Sequence, residues 1–544
     1  MEQDKNLIDE LKTLSEQLDS EKTYYRGYWE DTAKYFLPDK AGVFFNTDNY
    51  VRNEIFELYD SHCISCLDNF ANILNGTLTN KASVWFRLVA EDEELASNDN
   101  VINYLQDTTK KIWNEIYNPN SNFEIAHFEN LRFFACFGNI AIKIEEGKKS
   151  ILNFEPLHIK NYVIAENEEG KIDTCVITQS MTAKQIISKF GEDNVHDNIK
   201  KEFNINKFKK LEVKYFIFPQ KNRDPSKIDR ENMAYVGYWL DANNDYIMKQ
   251  DFFESYPIAF GRGTKNVGET WGTSRALLAL PDAKTLNKMV HDHMLASEKS
   301  LTPPFIQFVD FKNQIDLSPG SLNRIDSNTY TGEALKPLLS NVDYRPVLEL
   351  ILDKKESIKK IFFLDKLTVL DDPRATATQI LELRAESFRI MGSLAISLQE
   401  YLENILNRVF QILWKRSYSN INFELTEDAI FNAIPIEFNQ ELPKIKVEYI
   451  NPITQSQKNN ENNAIDAFIL NVMNLAQVSS EIIDKINFDK LIDIKTNLLQ
   501  IDNRILRKDE DVEEIRDAKK QNAQRQIEAE RNNIDADTLN KLNK

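Results

Sequence analysis

Fifteen glycines in 544 residues constrain this chain more than any other feature. Ordinary usage is about 7%, and the 16 prolines are scarce as well. Barrels, propellers and serial βαβ units need a glycine- or proline-bearing turn about every dozen residues. A chain so poor in turn residues is predicted to be α+β and mostly helical, with long helices and a minority of strands.

Apolar residues make up 42% of the chain and aromatics 10%. That excludes a disordered or collagen-like polypeptide and supplies core for several units of roughly 100–200 residues each. The formal net charge is −18, so the molecule as a whole is not expected to wrap tightly around nucleic acid, and weak DNA contact stays open. Four cysteines in no regular framework, with no apolar leader, predict a reducing compartment and no secretion. No run approaches the ~18 apolar residues of a membrane helix, so no membrane insertion is expected.

Apolar periodicity organises the chain. Leu7, Leu11, Leu14 and Leu18 predict an opening helix that Pro38 stops. A second helix is predicted over 60–78, a strand over 84–89, and helices over 101–117 and 121–136 flanking the turn at Asn118-Pro119. From Ile140 to Tyr256 short alternating segments at 151–154, 173–177, 213–218 and 235–240 predict an antiparallel sheet interrupted by a helix near 183–190. Helical period returns over 273–299, where Pro281 either opens the main helix or kinks it, and Pro303-Pro304 ends it. A forty-residue excursion at 301–342 carries a strand-like FIQFV and the turn Ser318-Pro319-Gly320, before a helix from about Tyr344 to Phe363. The segment 364–375 is predicted to be non-helical. Thr376 with Gln379 forms a capping box for a helix reaching about Lys415, with Gly392 weakening its middle. Strands are predicted within 421–450, a polar linker at 455–463, and helices thereafter, with a solvated charged end beyond Lys508.

Fragments that look like active-site motifs carry little. Cys63-Ile-Ser-Cys66 lies inside an amphipathic helix with no second cysteine pair, which favours two ordinary helix cysteines. His291 and His293, two residues apart on a helix, point to opposite sides and do not share a metal. Gly261-Arg-Gly263-Thr-Lys265 lacks the spacing and the Lys-Ser/Thr pair of a phosphate loop and reads as a turn. No catalytic constellation is found, and no cofactor or enzymatic activity is expected. What stands out is an order: helix, excursion, helix, short loop, very long helix. By itself that order fits an ordinary helical hairpin equally well.

The residues resemble the portal, or head-to-tail connector, proteins of short-tailed tailed bacteriophages. The resemblance runs in order over roughly residues 24–530. It rests on Arg26-x-x-Trp29 to Leu37-Pro38, Ser83-x-Trp85-Phe86, Ser121-Asn-Phe123, Phe137-Gly138-Asn139 and Phe154-Glu-Pro156-Leu157. It continues through Trp271-Gly272, Leu280-Pro281-Asp282, Leu286-Asn287, Phe362-Phe363-Leu364, Arg374-Ala-Thr376-Ala-Thr378 and Glu448-Tyr449-Ile450-Asn451-Pro452.

The resemblance implies a phage portal fold: a ring, usually a dodecamer, at one capsid vertex around a channel for duplex DNA. The wing would be 1–272 with 376–454, the stem 273–300 and 343–363, the clip 301–342, the channel loop 364–375 and the crown 455–544. It also implies assembly in the host cytoplasm, contact with major capsid and scaffolding proteins, and docking of a terminase motor and later a tail adaptor at the clip. Phe305, Ile306, Phe308 and Pro319 are the expected docking residues.

A conduit must pass phosphates without holding them. A bore dense in lysine would retain DNA through counterion release, whereas a ring carrying on the order of −200 would discourage adsorption. On the second stem helix Glu349, Asp353, Glu356 and Lys360 share a face, with Lys355 and Lys359 to its side, and either face could line the bore. Lys366 and Arg374 are expected to approach DNA, flanked by Lys355 and Lys359. Salt bridges at the surface or between subunits are the equal alternative for all four. The alternative function is a helical, self-associating scaffold or adaptor that conducts no DNA.

Overall fold

The computed structural model describes residues 5–41, 57–301 apart from 97, 148, 222 and 224–231, 305–307, 335–337, 345–367, 377–418, 425–435, 445–450, 452–476, 486–499, 507 and 512–525. Two compact units emerge, a larger one from 1–91 with 105–453 and a smaller one from 92–104 with 454–544.

Helix α1 (Lys5–Phe36) buries Ile8, Leu11, Leu18, Trp29, Ala33 and Phe36 at helical spacing. It ends where Pro38 starts a 3-10 turn over Pro38–Lys40. Helix α2 (His62–Leu78) turns Cys63, Cys66, Leu67, Phe70, Ala71 and Leu74 inward. Strand β1 (Phe86–Ala90), α3 (Glu93–Ala96), α4 (Asp99–Ile116) and α5 (Phe123–Phe137) follow. α5 ends at Gly138, whose φ is 72°. A Cβ there would meet the backbone of Thr273 and Ser274 at 2.6 Å, so glycine alone fits.

The predicted sheet region resolves in chain order into β2 (Asn139–Glu146), β3 (Leu152–Pro156), β4 (Tyr162–Glu166), β5 (Ile172–Thr182), α6 (Ala183–Phe190), α7 (Asp197–Ile205), β6 (Lys210–Pro219), β7 (Tyr235–Asp241), β8 (Tyr246–Phe253) and β9 (Ile258–Arg262). Two antiparallel sheets result, ordered β3-β2-β9 and β4-β5-β6-β7-β8. The second is a meander whose Val163, Val176, Phe216, Leu240 and Ile247 pack against Ile8, Leu11 and Leu18 of α1. α6 opens with a capping box between Thr182 and Gln185. α7 is an addition to the predicted layout: its sole buried residue, Ile199, gives no apolar stripe to find.

Helix α8 (Arg275–Leu301) starts before Pro281. Ser274 caps it, its Oγ accepting from the Leu277 N–H at 2.9 Å, so Pro281 lies within the helix and does not open it. β10 (Phe305–Gln307) and β11 (Leu335–Pro337) pair antiparallel. α9 (Arg345–Ile361) returns along α8 and is followed by a helical turn, α10 (Leu364–Leu367). That turn corrects the expectation of a wholly non-helical 364–375: Asp365 in its first turn and Lys366 in its last suit a helix dipole. Arg374 and Thr376 lie outside the described residues. α11 (Ala377–Ser417) runs unbroken through Gly392.

Strand β12 (Ile445–Tyr449) pairs antiparallel with β1, placing Phe86 opposite Tyr449 and Arg87 opposite Glu448. It is the described strand in the predicted 421–450 region, beside an isolated bridge from Tyr418 to Leu425. The predicted linker at 455–463 is instead part of α12 (Pro452–Ala476). Proline at the first position starts a helix well, and Gln, Lys and Glu are helix formers even without an apolar stripe. α13 (Phe488–Leu499) pairs Lys495 with Asp466 of α12 and Asp489 with Arg516 of a helix over 512–525, where charge dominates as expected.

Candidate functional site

One carboxylate of α8 bonds two side chains of α9. Asp282 Oδ1 accepts from Lys354 Nζ at 2.8 Å and Oδ2 from Ser357 Oγ at 2.7 Å. The Lys354 bond holds the Asp282 carboxyl below its usual range. Pro281, immediately before it, supplies no N–H to the Leu277 carbonyl, and Thr285 Oγ1 donates to the Pro281 carbonyl at 2.9 Å.

A second clamp joins α9 to the start of α2. Lys355 Nζ lies 2.7 Å from Asp60 Oδ2. Asp60 Oδ1 accepts from the His62 backbone N–H at 2.7 Å, and His62 Nε2 stands 3.0 Å from the Lys355 carbonyl. Burial pushes the imidazole pKa down, which favours a neutral ring donating to that carbonyl. Behind it, burial pushes the Cys63 thiol up to about 12 and Cys66 up to about 11, so this C-x-x-C is core.

The chain then turns sharply. Phe362 is fully buried, its ring 5.7 Å from that of Phe36 and 5.6 Å from that of Phe70. Phe363 takes φ 56°, a left-handed conformation costly for a residue with a side chain. The Arg275 guanidinium sits 4.4 Å from its ring centroid. The Phe363 carbonyl accepts from the Lys366 N–H at 3.0 Å, which starts α10.

Further on, α11 is anchored by a buried polar chain. His127 Nε2 lies 3.0 Å from Thr79 Oγ1 and its Nδ1 3.3 Å from the Tyr401 hydroxyl, to which Asn130 Nδ2 also donates at 3.2 Å. Burial drives the His127 pKa down to about 3, so the ring is neutral and bonds without a charge to desolvate. Leu398, Leu402, Ile405, Leu406 and Val409 of α11 are buried as well.

The sequence-derived site residues thus divide. Lys355 is paired with Asp60, Lys359 is exposed on α9, and Lys366 is half-buried in α10. Phe305 and Ile306 stand in β10, opposite Pro337 and Lys336 of β11. Phe308, Pro319 and Arg374 lie outside the described residues. Glu349, Asp353, Glu356 and Lys360 are all exposed. Sequence reasoning missed Asp60, His62, Ser357 and Arg275. Only Asp60 has a local signal, standing with Ser61 ahead of an apolar helix as a helix-start residue does. Gly261 and Arg262 end strand β9, the Gly263 N–H donates to the Gly138 carbonyl at 2.7 Å and Thr264 bridges Thr273, so the GRGTK segment is a strand end and not the turn expected of it; no metal-binding cluster occurs among the described residues. Nor is any described helix long and apolar enough to cross a membrane.

Several of these contacts fix one helix against another: Asp282 to Lys354 and Ser357, Asp60 to Lys355, and His127 and Asn130 to Tyr401. The chain matches the family of bacteriophage head to tail connecting proteins over residues 8–506 and belongs to that family. It is 25% identical over 528 residues to the portal protein of Salmonella phage epsilon15, covering 94% of this chain and 91% of that protein. It is likewise 25% identical over 536 residues to a probable portal protein of Bordetella phage BPP-1, covering 97% and 93%.

Proposed function

We propose that the chain forms the portal ring at one capsid vertex, usually twelve copies, through which duplex DNA enters the head and later leaves it. The family match along nearly the whole chain carries this reading, supported by a pinned helical hairpin leading through a tight elbow into a long anchored helix. In this reading 1–272 with 376–454 are the wing, 273–300 and 343–363 the stem, 301–342 the clip, 364–375 the channel loop and 455–544 the crown.

The chain supplies no hydrolysis. A terminase motor docks at the clip and gives way to a tail adaptor, while capsid and scaffolding proteins hold the wing during assembly in the host cytoplasm. β10 and β11 suit docking because, among the described residues, they pair only with each other, and an outer edge of such a ribbon can take a strand from another chain. A net charge of −18 per chain keeps DNA from adsorbing, and Lys366 and Arg374 guide it, while Lys355, paired with Asp60, takes the salt-bridge alternative.

Charge reversal at Lys366 and Arg374 together tests the loop assignment: packaging efficiency and genome retention fall, and unchanged values refute it. Deleting 305–340 abolishes motor and adaptor binding while the wing still folds, and retained binding refutes the clip assignment.

A further inference from the structure

Helix α9 shows three surfaces to three surroundings. Ile351 and Ile358 face the protein's own interior and are 8% and 0% exposed. Glu349, Glu356 and Lys360 lie on the opposite side. Between these two sides stand leucines that the chain leaves uncovered: Leu348, Leu350 and Leu352 are 46%, 53% and 65% exposed. At 3.6 residues per turn, Leu348 and Leu352 share one flank and Leu350 lies on the other, about 160° around the axis, at nearly the same height.

Exposed leucines on both flanks of one helix are not what a single partner seated on one side requires. Two unlike apolar strips at one level suit a head-to-side contact, in which each copy offers one strip and receives the other, repeating until the circle closes. Charge also distinguishes the flanks: Lys359 lies seven residues beyond Leu352 on its flank, while the Leu350 flank borders the acidic side at Asp353. Lys354 and Lys355, nearer the interior, are already paired with Asp282 and Asp60.

Resting on the ring reading, we propose that α9 is a ring-closing helix: Leu350 of each copy packs against Leu348 and Leu352 of the α9 in the next copy. The acidic strip of Glu349 and Glu356 then faces neither its own chain nor its neighbours.

Cysteine cross-linking of the assembled full chain tests this contact. The four native cysteines are buried and leave little background. Leu350→Cys and Leu352→Cys are made singly and together, assembled, then oxidised or treated with a short bismaleimide, with light scattering reporting assembly. The double variant gives a ladder of covalently joined chains on a denaturing gel. Each single variant alone stays at one chain, and a mixture of the two gives pairs and nothing larger. Single variants that cross-link to themselves as well as the mixture does would overturn the head-to-side contact. So would assembled rings of the double variant that yield no ladder with either reagent. A wild-type chain that stays monomeric would overturn the ring reading, and this contact with it.

Discussion

Asp60 at the start of α2 and Lys355 on α9 meet at 2.7 Å, with the Asp60 side chain only 11% exposed and Lys355 32%. The pair joins the hairpin to the larger unit's core. Removing one member leaves the other charge partly desolvated, whereas removing both does not. Lys355→Met and Asp60→Asn each lower unfolding free energy by about 1–2 kcal/mol, and the double variant loses about 1 kcal/mol less than their sum. Denaturant unfolding of the four proteins checks this; strict additivity would mean that the pair contributes nothing.

Lys22 is 1% exposed, and its Nζ donates to the carbonyls of Lys160 and Tyr162, both at 2.7 Å. Burial lowers its pKa from 10.5 to about 7, the opposing effect of Asp19 being smaller. A neutral amine still has two N–H groups for the two carbonyls, so losing the proton costs neither bond. Between pH 7 and 10.5 the unfolded chain holds a proton that the folded chain lacks, so stability rises with pH there by up to about 1.4 kcal/mol per unit. Below pH 7 the cost of burying the charge is present in full. Unfolding free energies of wild type and Lys22→Met, measured at pH 7, 8 and 9, should move in favour of wild type by a few kcal/mol; a constant gap would contradict the shift.

Phe363 sits at φ 56°, where glycine is unstrained and alanine is not. Phe363→Ala and Phe363→Gly both lose the stacking on Arg275, but the alanine variant keeps the strain. It should be about 1 kcal/mol less stable than the glycine variant, measured by thermal unfolding. Equal stabilities would mean that the elbow relaxes.

Much of this architecture is legible in residue order. Pro38 ends α1, Gly138 ends α5, and alternating apolar residues mark the meander because each is a local signal of turn, cap or period. What escaped is non-local or lacks a period. α7 buries one side chain, and the helix over the predicted 455–463 linker is built from polar residues that tolerate helix without advertising it. Asp60 reads as a helix start, but nothing near it names Lys355. Phe363 gives no hint of a left-handed turn, because phenylalanine does not favour positive φ, and its neighbour Phe362 packs against the sequence-distant Phe36 and Phe70.

Cys63, Cys66, Cys136 and Cys175 are all buried free thiols, and burial raises the pKa of each. Iodoacetamide at pH 8 should label none of the four in the native protein and all four in denaturant, counted by mass. Rapid native labelling of Cys63 or Cys66 would mean that α2 opens away from α9.

Direct imaging of the purified full-length protein by electron microscopy, under conditions that favour assembly, bears on the central claim. The expected particles are closed rings of fixed copy number with an open axial hole wide enough for duplex DNA. Monomers, or solid clusters with no central opening, would contradict it.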